Sequence, residues 1–462
     1  MENLSSRIDV KVCTDPRPID QGHVYVRAQR GRWQRLRQST GWVLMLLFLV
    51  GPWLRWNGQQ ALLLDLEQQR FHLFGITIWP QDLTLLALFL MVAAFGLFFI
   101  TAFLGRVWCG YLCPQTVWTF WFIWVEERLE GSANKRRQLN KAPWSLNKVT
   151  RKGGKHLIWL LISLLSGFTF IAYFVPAAEL GIGLLQWSAG LLPTFWVGFF
   201  ALCTYLNAGW MRAIMCTHMC PYSRFQSAMF DKDTYSIAYD AGRGERRGPR
   251  SRKADARAQG LGDCIDCNLC VQVCPTGIDI RDGLQYECIN CGACADACDQ
   301  TMNQMGYATG LIRYASERQL GGGKTRLWRP KLTAYGLMMV LMLGVLVYAA
   351  ANRVPMALDV QRDRNQLFRE TPEGLVENTY TLKLSNRTQQ PQLYRVRVEG
   401  MEALSWVGAV EVIVPAGEIV NLPISLAVDP YLLRGRMHPL RFVADNNETA
   451  VGAESQFFSP GW

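Results

Sequence analysis

The sequence predicts a multi-domain protein: an α-helical transmembrane bundle of about five spans, a small cysteine-bound α+β module, and an all-β immunoglobulin-like sandwich at the carboxyl end. Three observations predict it. Apolar runs approaching the ~20 residues needed to cross hydrocarbon recur through the first half and return once after residue 331. Eight cysteines fall in two copies of one spacing, and beyond Pro355 the pattern changes to short alternating runs. A composition that is 50% hydrophobic, with 17 tryptophans and a formal charge of +11, fits a membrane protein with basic loops. Nucleic acid is excluded as the partner of that charge, because the basic residues flank apolar segments and form no single stripe.

Residues 1–40 read as a basic cytoplasmic tail, with Lys11 and seven arginines and no apolar core of the kind a cleavable signal needs. Its lone Cys13 carries no expected role. Spans are expected over Gly41–Trp56, Asp82–Leu104, His156–Val175, Leu191–Met211 and Leu332–Ala351. The first is short, with Arg37 and Arg55 reaching outward at its ends. These place the main bundle in 41–231 and a last helix in 332–354.

The loops orient the bundle. Gln115–Lys155 is rich in Lys and Arg, Arg55–Gln81 holds only Arg55 and Arg70 as basic residues, and Pro176–Gly190 holds none. The positive-inside rule then puts the tail, the second loop and the long region after the fourth span in the cytoplasm, and everything beyond Ala351 outside. Val117–Val125, reading VWTFWFIWV, is too short to span and reads as an interfacial or re-entrant helix anchored by its tryptophans.

Two matching motifs, C-x3-C-P, follow the second and fourth spans: Cys109 to Pro114 and Cys216 to Pro221. Cysteines four apart share one face of a helix, so Cys109, Cys113, Cys216 and Cys220 are expected to form a four-thiol site if their spans pack together, with each proline at a chain break just beyond. With Met215, Met219 and His218 alongside, the soft donor set favours Cu(I); zinc and iron-sulfur stay open. Cys203, inside a span, reads as small apolar packing.

Residues 232–262 read as a linker whose Arg243, Arg246, Arg247, Arg250, Arg252, Lys253 and Arg257 make a solvated, positive-inside tether. The module at 263–331 follows. Cys264, Cys267, Cys270, Cys274 and Cys288, Cys291, Cys294, Cys298 each read C-x2-C-x2-C-x3-C, the ligand pattern of two bacterial-ferredoxin-type [4Fe-4S] clusters. In that pattern the fourth cysteine serves the other cluster, which groups Cys298 with Cys264, Cys267 and Cys270, and Cys274 with Cys288, Cys291 and Cys294. Zinc knuckles or disulfides leave the third cysteine of each run unexplained. Pro275 follows the first run, but Asp299 stands where the second would also carry proline.

The region 355–462 contains the alternating runs Tyr380–Leu384, Leu393–Val398, Val410–Val414, Val420–Leu426 and Leu440–Val443, the pattern of a small sandwich. It has no cysteine and no clustered His, Asp and Glu, so docking or shielding is its expected work. Asn386-Arg387-Thr388 matches a glycosylation triplet, which chance explains as well.

Taken together, the arginine-rich tail, the spans, both C-x3-C-P motifs, the paired cluster motif and the terminal sandwich resemble the CcoG/FixG family of accessory proteins for cbb-type haem-copper oxidases, over nearly the whole chain. The resemblance implies a bacterial inner-membrane protein that reduces Cu(II) to Cu(I) for oxidase assembly, with Cys109, Cys113, Cys216 and Cys220 as copper or electron-relay residues. It implies two [4Fe-4S] clusters and transient copper as cofactors. As partners it implies membrane lipid, a copper-exporting ATPase and oxidase assembly factors; the electron donor is unknown and homodimerisation is left open. Two other readings compete: a quinol-oxidising membrane ferredoxin feeding a respiratory reductase, and a copper chaperone or scaffold without turnover. The sequence has no C-x-x-C-H haem attachment, which leaves the quinol reading without a covalent haem exit.

Overall fold

The computed structural model describes residues 24–460, except 57, 68, 75, 80, 81, 253–257, 364, 365, 389 and 402. Cys13 with the rest of the first 23 residues, and the linker's Lys253 and Arg257, lie outside the described residues. The chain forms two compact units, one made of the residues up to Leu54 with Leu86–Leu346, the other of Arg55–Leu85 with the residues from Val347.

Among the described residues four helices are long and apolar enough to cross a membrane: Leu83–Leu104, Leu146–Ile171, Leu191–Met211 and Pro330–Ala351. The expected span over Gly41–Trp56 is not among these four. Its helix runs Arg32–Val50 and then breaks at the Gly51-Pro52 turn. Only the part from Gly41 is apolar, about 15 Å at 1.5 Å per residue, half of a hydrocarbon core. Its polar start docks instead: Asp296 of the cysteine module accepts the backbone N–H groups of Trp33 (3.1 Å) and Gln34 (2.7 Å), capping donors a helix start leaves without partners.

The aromatic run Val117–Val125, expected as an interfacial or re-entrant helix, is helical. It lies within the helix Pro114–Leu129, where Phe122, Ile123 and Val125 are buried and Phe122 stacks on Trp159 at 5.0 Å. One face therefore packs into the bundle, although Trp124 stays exposed. Nor is the basic loop wholly solvated. Glu126 takes Arg136 (2.8 Å) and Arg212 (2.7 Å), and Glu130 takes Lys155 (3.0 Å), all of these side chains nearly buried. Burial pushes Glu126 up, but Arg212, Lys155 and Arg136 outweigh it and hold the carboxyl below its ordinary range.

The segment 232–262 is more than a tether. Its strand Ser236–Tyr239 pairs antiparallel with Ile312–Ala315. Arg243 binds Asp263 at 2.5 Å and the carbonyls of Ala308 and Thr309, and Arg250 donates to the carbonyls of Gly262 (2.6 Å) and Cys264 (3.3 Å). These two arginines satisfy carbonyls in and beside the cysteine module, a use that charge counting along the chain cannot distinguish from solvation.

In the second unit, the carboxyl-terminal residues form two antiparallel sheets. One has the order Ser405–Val407, Ile419–Val428, Val376–Asn386, Met356–Arg362, with Arg369–Glu370 also on Val376–Asn386; the other runs Glu411–Val414, Gln392–Glu399, Met437–Asp445, Ala450–Phe458. Strict alternation along Val376–Leu384 turns Val376, Asn378, Tyr380, Leu382 and Leu384 inward, and Tyr380 meets Phe442 edge-on at 5.1 Å. All five expected strands are present. Met356–Arg362, Ser405–Val407 and Ala450–Phe458 were not legible, because edge strands and a strand interrupted by Gly452 blur the period-two signal.

Two further findings belong to this unit. Residues 55–81, expected as a loop, carry the meander Leu62–Asp65, Arg70–Leu73, Ile76–Ile78, and Asp82 beside it pairs with Arg353 (2.5 Å) and Arg387 (3.3 Å). Asn386 is fully buried and donates to the carbonyls of Gln390, Val414 and Pro415, so it is a corner bracket and not an accessible glycosylation acceptor.

Candidate iron-sulfur and membrane-edge thiol sites

The two cluster loops are built alike. In Cys264-Ile265-Asp266-Cys267-Asn268-Leu269-Cys270 and Cys288-Ile289-Asn290-Cys291-Gly292-Ala293-Cys294, the second and fourth residues after the first cysteine have left-handed backbone: Asp266 and Asn268 at φ 54° and 56°, Asn290 and Gly292 at φ 54° and 73°. Asp, Asn and Gly occupy that region at the least cost, so the chain curls and its thiols turn toward one centre. The helices Leu269–Gln272 and Ala293–Met305 then carry Cys270 and Cys294, and the fourth cysteines follow.

The structure brings Cys298 beside Cys264, Cys267 and Cys270, around a cavity also lined by Tyr239, Leu311 and Ile312. Cys274 joins Cys288, Cys291 and Cys294 around a second cavity, lined by Ile237, Ile278 and Ile280. Cys270 borders both cavities and lies within electrostatic reach of Cys294, so the two sites are neighbours. Burial pushes the thiols of Cys270, Cys288 and Cys298 up to about 12. Such thiols stay protonated until a cation compensates the thiolate, and four soft donors in each apolar-walled cavity fit an iron-sulfur cluster. Cys267 is the exposed member of the first site. Asp299, the departure from proline, accepts the backbone N–H of Gly310 at 2.7 Å and so pins the chain that returns toward the strand Ile312–Ala315.

The C-x3-C-P motifs also share one geometry, which replaces the expected single helical face. Trp108–Leu112 and Met215–Met219 are each one wide turn with a hydrogen bond reaching back five residues, Cys113 N–H to Trp108 O and Cys220 N–H to Met215 O, both 2.9 Å. Cys113 and Cys220 then turn extended, and Pro114 and Pro221 occupy the first position of new helices, where a missing N–H costs nothing. The proline starts a helix instead of ending one. Cys216 lies within electrostatic reach of the other three thiols, and Cys109 of Cys113 and Cys220 as well.

His218 is exposed and its Nδ1 bonds Thr217 at 2.7 Å, Met219 is 57% exposed, and Met215 is half-buried. Sequence reasoning missed three other residues. Arg106, buried, donates to the carbonyls of Ser223 (2.7 Å) and Tyr286, and its charge reaches Cys109, Cys216 and Cys288. Gln226, fully buried, donates to Cys109 Sγ at 3.3 Å. Asn290 receives the Ile237 N–H on its side chain (3.1 Å) and donates to the carbonyl of Leu104 (3.4 Å), joining the end of a span to the second cluster loop. Only Asn290 had a visible signal, lying between two ligand cysteines.

Both membrane-edge turns rest on that loop. Cys109 packs against the buried cluster that holds Ile289 and Cys291. Tyr286 Oη donates to the Thr217 carbonyl at 2.7 Å, and Tyr111 Oη to the Cys291 carbonyl at 3.3 Å. The first cluster site, the second and the turn that carries Cys109 are thus neighbours in that order.

Comparison with known proteins matches three stretches of the chain. A 4Fe-4S dicluster domain matches residues 211–317, a 4Fe-4S binding domain residues 86–130, and the IG-like fold at the C-terminus of FixG residues 346–460. The nitrogen fixation protein FixG of Rhizobium meliloti is 36% identical over 82% of this chain and 80% of its own length. This chain belongs to the FixG family. Protein RdxA of Cereibacter sphaeroides is 40% identical over 80% of this chain and 81% of its own. A crystal structure of a FixG-related protein from Vibrio parahaemolyticus covers 23% of this chain and 99% of its own, at 43% identity and a TM-score of 0.22. As a FixG-family member, the chain is a membrane-associated 4Fe-4S electron-transfer protein.

Proposed function

We propose that this protein reduces Cu(II) to Cu(I) at the bacterial inner membrane during assembly of a cbb-type cytochrome c oxidase. The reading is supported above all by the succession of neighbouring thiol sites, from exposed Cys267 in the first cavity, through Cys270 on the wall of both, to the second cluster loop on which Cys109 packs. When bound, the two ferredoxin clusters supply one-electron carriers. The chain's residues do the rest. Cys267 leaves the first site open to a donor protein, and the basic surface favours an acidic one. Asn290, Tyr286 and Tyr111 hold the second site against the membrane-edge turns. Cu(II) takes one electron and leaves as Cu(I), which soft sulfur, including Met215, favours over the oxidised ion.

In this proposal the tail and cluster sites are cytoplasmic, as the basic loops suggest, and the sandwich faces the periplasm. The Cu(I) passes to a copper-exporting ATPase and from there to the oxidase. The test is to reduce anaerobic protein chemically, remove the reductant and add Cu(II). Cluster absorbance should reoxidise with one chelatable Cu(I) per electron lost. Reoxidation by quinone, or re-reduction by quinol, with inertness toward Cu(II) would favour the quinol-linked reading; no electron loss to either would leave a scaffold.

A further inference from the structure

The four membrane-edge thiols need an occupant, and their surroundings differ from those of a single-ion site. Among the described residues no three His, Cys, Asp or Glu converge on a point that one metal ion would fill. The same holds for the two ferredoxin sets, whose clusters keep four thiols apart around an iron-sulfur core. His218 and Met219, which would complete a mononuclear copper site, are exposed.

We propose that Cys109, Cys113, Cys216 and Cys220 hold a third [4Fe-4S] cluster, in contact with the one at Cys274, Cys288, Cys291 and Cys294. Each membrane-edge turn supplies two of the four ligands. The 4Fe-4S binding domain match at residues 86–130 contains Cys109 and Cys113 alone, too few to hold a cubane, and the fold supplies the missing pair from a turn of the same build 107 residues later.

The charge environment fits an anionic cluster. Arg106 is buried beside the site, Gln226 gives an N–H to the Cys109 sulfur, and the helices Pro114–Leu129 and Pro221–Met229 begin at Cys113 and Cys220 with their positive ends toward the thiols. Gly110 marks how close the second cluster loop comes: a Cβ there would stand 2.7 Å from the Ile289 carbonyl oxygen and 2.9 Å from that of Asn290. Such proximity brings a membrane-edge cluster next to the second ferredoxin site. Copper then receives its electron outside this foursome.

The proposal does not depend on the acceptor being copper, and its test is separate. Full-length protein in detergent, reconstituted anaerobically with ferrous iron and sulfide, is analysed for both. Three clusters of four predict about twelve irons and about twelve sulfides per chain. The double variant Cys113→Ser, Cys220→Ser should fall to about two thirds of that and keep both ferredoxin signals in the paramagnetic spectrum after dithionite; Cys203→Ser should leave the count unchanged. A wild-type count of about eight, or stoichiometric zinc or copper beside two clusters, overturns the proposal whatever the variants do. Activity toward Cu(II) is scored independently, so a two-cluster protein that still reduces copper would remove the third cluster and leave the proposed function standing.

Discussion

Gly110→Ala tests the seating of the membrane-edge turn on the second cluster loop. The added methyl would lie 2.7 Å from the Ile289 carbonyl oxygen, where ordinary contact starts at 3.4 Å, an overlap of about 0.7 Å. That oxygen cannot easily retreat. Asn290 next to it is held by Ile237 (3.1 Å) and by the Tyr314 hydroxyl (2.5 Å), and Cys291 by Tyr111. Nor does the backbone of the turn object to alanine, since Gly110 is not among the residues of positive φ. The cost is therefore steric, about 1–3 kcal/mol for overpacking a tight contact, or roughly a 5- to 150-fold shift in the docked population. Unfolding of the full chain should begin at lower temperature, and stopped-flow reoxidation of prereduced clusters by Cu(II) should slow, with the iron content of the ferredoxin sites unchanged. Wild-type melting together with a wild-type reoxidation rate would refute the claim that this approach couples the two sites.

Four other outcomes follow from the same geometry. Asn290→Ala leaves the Ile237 N–H buried without its partner, a loss of about 1–3 kcal/mol, and should speed hydrogen exchange across Ser236–Tyr239; unaltered protection would argue against its bridging role. Cys298→Ser should abolish the signal of the outer cluster and spare that of the inner, and full intensity from both after dithionite would remove Cys298 from the ligands. Asn386→Ala deprives the buried Val414 carbonyl, and those of Gln390 and Pro415, of their donor and should cost the sandwich about 1–3 kcal/mol in denaturant unfolding, whereas a surface residue would move it by a few tenths. In the same sandwich the Arg369 guanidinium, bonding Glu377 at 2.7 and 2.9 Å, holds its carboxyl below the usual range. A depressed carboxylate stabilises the fold above its unfolded pKa and loses that contribution as pH falls through the folded one, so the stability gap between wild type and Glu377→Gln should close below pH 4.5; a constant gap would exclude the ion pair as its source.

Much of this protein was determined by the order of its residues alone. Cluster ligands need closely spaced thiols on one short loop, so the C-x2-C-x2-C-x3-C runs declare their chemistry without tertiary help, and long apolar helices and period-two strands are likewise local consequences of solvent and backbone. Tertiary structure decided what depends on distant segments meeting. The inward face of Val117–Val125 shows only once Trp159 is found stacked on Phe122, and the basic loop looks solvated until Glu126 gathers Arg136 and Arg212. Arg106, Gln226 and Asn290 each matter through partners more than fifty residues away, or through a cluster loop elsewhere in the chain. The convergence of Cys109, Cys113, Cys216 and Cys220 is of that kind too. Each pair is written in its own motif, but only the packing of two separate spans brings the pairs near each other, because contact between remote segments is set by the shape of the folded chain and not by spacing along it.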